Sequence, residues 1–119
     1  MKYYKECVAV IALSIASGCV SNAADTATPA PTDLTGIYKA TFFGGSVTWN
    51  IENDGTGVAC EERTSMSTNA KLRDMVINGD TVYDVYEYKI VSKSSNGFSV
   101  SGIVDLDFRQ INKMPAACR

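Results

Sequence analysis

Residues 46–57 read SVTWNIENDGTG. In the first half, Val47, Trp49 and Ile51 alternate with polar residues, and a period of two places the three apolar side chains on one face of a strand. The second half, 53–57, consists of Asn, Asp, Gly and Thr, and the first three of these residue types tolerate the backbone conformations of tight turns. The stretch therefore predicts one strand and the reversal after it, which is the unit of an antiparallel sheet.

The same alternation continues on both sides of this stretch. Strand-like segments are predicted, in chain order, at 34–43, 46–52, 57–63, 71–77, 81–91 and 98–108. The turn signals between them include Gly44-Gly45 and Asn78-Gly79, the second being a strong hairpin signal. Alternation slips near Asp84-Val85, which indicates a bulge in the fifth segment, and Gly102 indicates a bend in the last.

These segments predict an all-β domain of about six to eight antiparallel strands over 34–119. No segment is a convincing helix, and 71–76 is the one candidate for a single helical turn. A sheet of this size must close or fold over, because open edges invite aggregation. A small meander barrel and a two-sheet sandwich both satisfy that requirement. The meander order and the corner that Gly102 permits favour the barrel.

The N-terminal residues have the parts of an export signal. Lys2 and Lys5 precede an apolar run of 11 residues, CVAVIALSIAS at 7–17, which is too short to span a bilayer as a helix of about 20 residues. The run ends at Ala16-Ser17-Gly18-Cys19, which resembles a bacterial lipobox, although leucine is commoner than alanine at its first position. The resemblance implies a signal peptide at 1–18, a lipid on Cys19 and a flexible tether at 19–33. Cleavage after Ala24 is the alternative, and it would release a protein without an anchor.

Two further cysteines, Cys60 and Cys118, remain in the exported chain after Cys7 leaves with the signal and Cys19 carries lipid. Exported proteins meet an oxidising compartment, so we expect these two to form a disulfide. The loop that it closes is about 60 residues long, and loop-closure entropy gives about 4 kcal/mol of stability. A metal-binding or reactive pair is the alternative, and no further ligands accompany it.

Charge and composition exclude several functions. The chain after residue 18 carries nine basic and twelve acidic residues, a net charge of −3, whereas nucleic-acid binding needs a clustered basic face. The chain contains no histidine, which removes the usual partner of serine and cysteine nucleophiles and the commonest zinc ligand. We expect no nucleic acid, no metal and no cofactor.

Carboxylate pairs occur at Glu61-Glu62 and at Asp105 with Asp107. A glycosidase needs two carboxylates across one cleft, but Glu61 and Glu62 point to opposite faces of a strand, and Asp105 and Asp107 lie on a face predicted to be solvated. The turn at 53–57 has too few carboxylates for a calcium loop. We therefore predict that the protein is not an enzyme, with substitution of Asp105 or Asp107 as the direct test.

Aromatic residues and polar loops are the remaining candidates for binding. Phe42 and Phe43 must face opposite sides of a strand, so one of them is a candidate for exposure. Tyr83 lies on the face opposite Tyr86 and Tyr88 and carries the amphipathic ring that interfaces favour. We take Phe43 and Tyr83 as candidate binding residues, and the polar loops at 64–70 and 92–96 as candidate contact surfaces.

The layout as a whole resembles small uncharacterised bacterial lipoproteins. The shared features are the lipobox, a short tether, a Gly-x-Tyr opening at Gly36, a Trp strand followed by Asp-Gly-Thr-Gly and Cys60, and the terminal Cys118. A weaker similarity exists to lipid-anchored lysozyme inhibitors, whose Ser-Gly-x-x-Tyr recognition motif this chain lacks. Gly36-Ile37-Tyr38 with Arg109 also resembles the Gly-x-Trp and arginine closure of lipocalin-type barrels, with tyrosine in place of tryptophan.

The resemblance implies a lipid-anchored protein on the periplasmic face of a bacterial outer membrane. The residue after Cys19 is Val20. An aspartate at this position would be the inner-membrane retention signal of enteric bacteria, so Val20 favours the outer membrane. For function we expect a non-catalytic binding or inhibitor module that contacts an envelope protein or glycan. The alternative is a structural accessory subunit of an envelope complex.

Overall fold

A computed structural model describes residues 27–64 and 70–119, and these form eight antiparallel strands and one short helical turn. The elements, in chain order, are β1 (Gly36–Phe42), β2 (Gly45–Ile51), β3 (Thr56–Arg63), β4 (Lys71–Asn78), β5 (Thr81–Asp84), β6 (Tyr86–Ser94), β7 (Gly97–Ser101), β8 (Asp105–Ile111) and a 3₁₀ helix (Ala116–Cys118).

Every strand pairs with the next one along the chain, and β1 pairs with β8 to close the sheet into a barrel. The closing seam is short: Ile37, Tyr38 and Lys39 face Ile111, Gln110 and Arg109 respectively. The predicted meander barrel is therefore confirmed over the sandwich. Arg109 is exposed, so the closure rests on strand pairing and not on an arginine buried beneath Tyr38.

Aromatic side chains fill the barrel interior. Trp49 is fully buried and stacks on Phe108 with 4.1 Å between ring centroids, while Phe98 stacks on Phe108 at 5.0 Å. Tyr88 meets Trp49 edge to face at 5.7 Å, and Tyr38 meets Phe98 at 4.9 Å. Offset stacks and edge contacts at these distances are the favoured arrangements of aromatic rings. The middle of the barrel is thus a packed core, as expected for eight strands.

The segment 81–91 is a hairpin, which corrects the prediction of one bulged strand. β5 and β6 pair antiparallel, with Asp84 opposite Tyr86, so Val85 alone connects them. Val85 has a φ of 65°, a conformation that β-branched residues rarely adopt. The slip in alternation marked this reversal, but valine is not a turn residue and gave no turn signal.

The segment 98–108 is also a hairpin and not one long strand. β7 and β8 pair with Phe98 opposite Phe108, and residues 102–104 form the connection. Phe98 and Val100 on β7 and Leu106 and Phe108 on β8 are buried, whereas Val104 in the connection is exposed. The candidate helical turn at 71–76 is wrong as well, because these residues belong to β4.

The two ends of the barrel carry different segments. The connections β1–β2, β5–β6 and β7–β8 lie at one end, where β3 also ends and β4 begins, and we call it the loop end. At the other, the tether end, Ala30 donates its backbone N–H to the carbonyl of Ile77 at 2.9 Å, and Thr32 donates to Asn53 at 3.1 Å. Residues 30–33 of the predicted tether are thus held on the barrel, whereas Cys19 and the predicted signal peptide 1–18 lie outside the described residues.

The tight approach of the tether explains a glycine in the β2–β3 turn. Gly55 has a φ of 89°, and a Cβ atom at this position would collide with the backbone of Ala30. The turn itself is closed by Asp54, whose Oδ1 accepts from the Thr56 backbone N–H at 3.0 Å and from its hydroxyl at 2.7 Å. Turn chemistry therefore accounts for this acidic residue.

Cys60 and Cys118 form the predicted disulfide. Cys60 lies on β3, directly opposite Leu72 on β4. Leu72 is exposed on the outer wall, and directly paired residues point to the same side of a sheet, so Cys60 also points outward. The segment after β8 therefore returns to the outside of the third strand, where Cys60 and Cys118 are both buried. The bond joins parts of the chain that lie on either side of the β1–β8 seam.

Candidate functional site

The loop end of the barrel exposes a ring of large apolar side chains, which we call the apolar rim. Phe43, in the β1–β2 connection, is fully exposed, and Ile103, in the β7–β8 connection, is 66% exposed. Val85 forms the β5–β6 connection, and Tyr86 is exposed next to it. Val104 is exposed next to Ile103. Three separate hairpin turns thus place apolar groups at one end, although exposed turns are ordinarily polar.

A pocket of about 220 Å³ opens inside the rim, and we call it the mouth pocket. Its outer wall is made by the rim residues Phe43, Tyr86, Ile103 and Val104. Deeper, it is lined by the apolar residues Phe42, Val47, Tyr88 and Leu106 and by three charged residues, Glu61, Arg63 and Arg73. It has the composition of a binding site, with mostly apolar walls and a few polar groups.

An ion-pair network forms the floor of the pocket. Arg73 on β4 donates from Nε to Oδ1 of Asp84 at 2.7 Å, and its second terminal nitrogen donates to Oδ2 at 3.3 Å. Its other terminal nitrogen donates to Oε1 of Glu61 on β3 at 2.9 Å. Trp49 completes the network by donating its indole N–H to Oδ2 of Asp84 at 3.1 Å. The floor is therefore pinned to the aromatic core beneath it.

Arg63 lies at the edge of this network and is the most exposed of its members. Its Nε donates to Oε2 of Glu61, and its guanidinium carbon lies 5.3 Å from the centre of the Phe42 ring, within the range of a cation–π contact. The side chain is 47% exposed, against 18% for Arg73. Among residues 27–64 and 70–119, its two terminal amino groups have no hydrogen-bond partner.

Burial and pairing shift the pKa values of the network in opposite directions. Burial raises the pKa of the Asp84 carboxyl above its ordinary value, although Arg73 and Trp49 oppose this shift. Burial also acts most strongly on Glu61, but the hydrogen bonds and charges of Arg63 and Arg73 outweigh it together and lower the pKa of Glu61. Burial alone would lower the pKa of Arg73, and its two carboxylate partners raise it instead.

The structure separates most of the predicted binding features. Phe43 is on the apolar rim, whereas Tyr83 is half-buried and faces outward from the wall of β5, between the buried positions Val82 and Asp84. Residues 92–94 belong to the end of β6 and lie at the tether end. Of the predicted loop 64–70, Thr64 follows β3 at the loop end, and residues 65–69 lie outside the described part of the chain.

The two carboxylate pairs singled out in the sequence are arranged differently. Glu61 and Glu62 lie on opposite faces of β3 as expected, and it is Glu61 that faces the mouth pocket. Asp105 and Asp107 are exposed on β8 as predicted, and Asp107 accepts a hydrogen bond from Ser99.

Sequence reasoning missed Arg73 and Asp84 as site residues. Both occupy inward positions of the barrel, but they belong to strands whose register could not be derived from spacing alone. The available signal was the break in alternation at Asp84, since an acidic residue at an inward position needs a buried partner.

Groups of three or more cysteine, aspartate or glutamate side chains placed to hold a metal ion are absent from residues 27–64 and 70–119. In the same residues, no helix has the length and apolarity required to cross a membrane. Comparisons of the chain with protein-family models, curated proteins and solved structures find no match.

Proposed function

We propose that this protein is a non-catalytic binding module of the bacterial envelope that engages a protein or glycan partner with its loop end. The apolar rim is the observation that carries the proposal. Exposed apolar patches of this kind mark interaction sites, and aromatic residues are enriched where proteins meet. Phe43, which the sequence singled out as a candidate binding residue, lies on this surface.

The orientation of the barrel supports an anchored role. We propose that Cys19 carries a lipid that holds the protein on the outer membrane, facing the periplasm. The chain reaches the barrel at the tether end, where Ala30 and Thr32 are hydrogen-bonded, so the apolar rim points away from the attachment. A molecule tethered in this way presents its binding end to the surrounding compartment.

The state of the carboxylates supports a non-catalytic role. Both oxygens of Asp84 and both oxygens of Glu61 accept hydrogen bonds from arginine or tryptophan. A general acid or base must exchange a proton with substrate, and these carboxylates are already engaged. A screen of the purified protein against peptidoglycan, peptides and esters tests this part. Reproducible turnover abolished by Asp105→Asn or Asp107→Asn would contradict it.

Capture of a partner tests the binding role. The protein is immobilised through its N-terminal segment and exposed to a solubilised envelope extract, and bound proteins and glycans are identified by mass spectrometry. We expect Ile103→Asp to abolish capture, because a charge in the rim disrupts an apolar contact. Leu72→Asp, on the outer wall, is the matched control. If both variants capture the same partner as the wild type, the loop end is not the binding surface.

Metabolic labelling with a palmitate analogue tests the anchor separately. We expect label in the wild-type protein and none in Cys19→Ala. Equal labelling of the two would remove the lipid anchor and leave the barrel and its loop end unaffected.

A structural accessory subunit remains a second candidate, favoured by one feature of the outer wall. Val58 on β3 and Leu72 on β4 are exposed apolar side chains on the same face, at diagonal positions of the β3–β4 register. Lateral packing in an assembly would cover them. Loss of a stoichiometric envelope complex in Leu72→Asp, but not in Ile103→Asp, would favour this role over the first.

A further inference from the structure

The mouth pocket contains one positively charged group that is available to a ligand. Arg73 is bonded to Asp84 and Glu61 through all three of its nitrogens. Glu61 uses one oxygen for each arginine. Arg63 differs, because the ion pair engages its Nε and, within the described parts of the chain, leaves both terminal nitrogens without a partner.

The position of Arg63 is fixed from two sides. Glu61 holds its Nε, and the Phe42 ring lies beneath its guanidinium at 5.3 Å. A guanidinium held in this way presents its terminal nitrogens in a planar fork, which matches the two oxygens of a carboxylate. The aromatic contact and the ion pair reduce the side-chain entropy that binding would otherwise cost.

The rest of the pocket is suited to a compact apolar group. Tyr86, Tyr88, Ile103 and Leu106 form apolar walls around a volume of about 220 Å³. Water takes up about 30 Å³ per molecule in the liquid, so the pocket has the volume of about seven water molecules, which suits a compact group such as one phenyl ring. Below it, the core around Trp49 is packed, which sets the depth that a ligand can reach.

We propose that the mouth pocket binds a compact organic carboxylate, with its apolar body between Tyr86, Ile103 and Leu106 and its carboxylate paired with Arg63. Either a free organic acid or the C-terminal residue of a partner polypeptide carries this chemistry. The proposal rests on the loop end being the binding end of the protein, and it names the chemical group recognised there.

Three probes of the same shape test the charge requirement: 4-phenylbutyrate, 4-phenylbutanol and 4-phenylbutylamine. Residues 20–119, which lack the predicted signal peptide and lipidation site and contain all eight strands of the closed barrel, allow titration without detergent. The chain has one tryptophan, so its indole N–H gives one NMR cross-peak. This N–H is bonded to Asp84, which is paired with Arg73 in the pocket lining, so the reporter lies directly beneath the pocket. We expect saturable shifts, with the acid bound at least fivefold more tightly than the alcohol and the amine bound most weakly.

Arg63→Gln should weaken binding of 4-phenylbutyrate at least tenfold and change binding of 4-phenylbutanol less than twofold. Ile103→Asn should weaken both probes, because it removes part of the shared apolar wall. Arg109→Gln, on the outer face of β8, is the control and should change neither. If Arg63→Gln fails to fold, Arg63→Lys keeps the charge but loses the planar fork, and we expect it to weaken binding of the acid alone.

Equal affinity for acid and alcohol in the wild type, or the absence of saturable binding, would overturn the proposal. Either result leaves the envelope-capture experiment unaffected, since a partner can contact the apolar rim without entering the pocket. The dipeptide acetyl-Ala-Phe and its C-terminal amide then distinguish the two sources. Tighter binding of the peptide acid than of 4-phenylbutyrate identifies a polypeptide terminus, and the reverse order identifies a free organic acid.

Discussion

Trp49 and Asp84, 35 residues apart in sequence, are joined by a buried hydrogen bond of 3.1 Å between the indole nitrogen and Oδ2. The bond connects two parts of the barrel with different chemistry. Trp49 belongs to the aromatic core, and Asp84 belongs to the charged floor of the mouth pocket through its pair with Arg73. The charged network therefore depends on the packing of the core.

Asp84→Asn should reduce the free energy of unfolding by about 3 kcal/mol, the low end for a broken buried pair, because Arg73 is left with Glu61 as its one charged partner among the described residues. The measurement is urea denaturation followed by tryptophan fluorescence. Asp80→Asn is a matched control at the preceding turn. Its pair with Lys89 is 3.6 Å long and both side chains are more than 60% exposed, so we expect a change below about 1 kcal/mol. Similar losses in the two variants would show that the buried pair has no special role.

Glu61→Gln should make the protein less stable near neutral pH than in acid, relative to the wild type. The lowered pKa of Glu61 means that its ionised form stabilises the fold above the ordinary value of about 4.3, and this contribution is lost as the pH falls through the lowered pKa. We expect a difference of about 1–3 kcal/mol at pH 7, shrinking below pH 4. Urea unfolding of both proteins from pH 3 to pH 7 measures it.

The raised pKa of Asp84 acts on stability with the opposite sign. When folding raises the pKa of a carboxyl group, the free energy of unfolding of the protein falls as the pH rises through the pKa. The charge of Glu61 is the smallest of the causes that shift the pKa of Asp84, so most of this contribution is common to the wild type and Glu61→Gln and cancels in the comparison. Glu62→Gln, on the outer face of β3, controls for the loss of a carboxylate. A wild-type advantage over Glu61→Gln that grows on acidification would contradict the assigned role of Glu61.

Replacement of both Cys60 and Cys118 by alanine should cost about 4 kcal/mol, because the bond closes a loop with a sequence separation of 58 residues. The midpoint of urea unfolding measures the loss, and wild-type protein treated with a reductant should show a similar one. Mass spectrometry of the non-reduced wild type should give a mass two hydrogens below the dithiol. Two free thiols in exported protein would be inconsistent with this bond.

Val85→Asn should stabilise the protein by about 1 kcal/mol. A left-handed conformation costs about 1–2 kcal/mol for an ordinary L-residue, and asparagine tolerates it better than valine. Val91→Asn is the control, since Val91 is an exposed valine within β6 and has no positive φ. Thermal unfolding compares the three proteins. A lower melting temperature in Val85→Asn would mean that the valine side chain contributes more at the rim than its backbone strain costs.

The sequence predicted the class of fold because the first half of the domain obeys simple rules. Val47, Trp49 and Ile51 alternate with polar residues, and Asn, Asp and Gly occupy the following turn. Both features depend on neighbouring residues, so they can be read without knowledge of the tertiary structure. The disulfide followed from the cysteine count and the expected compartment.

The second half was harder to predict because two hairpins turn on apolar residues. Val85 and the pair Ile103-Val104 have strand propensity, and propensity favoured continuous strands through both turns. The same error concealed the site, because the apolar rim consists largely of these turn residues. The pairing of Arg73 with Asp84 depends on the β4–β5 register, in which Val76 faces Tyr83, and one sequence alone does not determine that register.

The neighbour-by-neighbour pairing of the strands has a consequence for how fast the barrel forms. Seven of the eight strand pairings join consecutive strands, and only the β1–β8 seam pairs strands that are distant in sequence. Folding rates fall as the sequence separation of native contacts grows, so the hairpins should form early and the seam last. Until the barrel closes, the edges of β1 and β8 remain unpaired. Once the Cys60–Cys118 disulfide has formed, it lowers the entropy cost of bringing those two edges together.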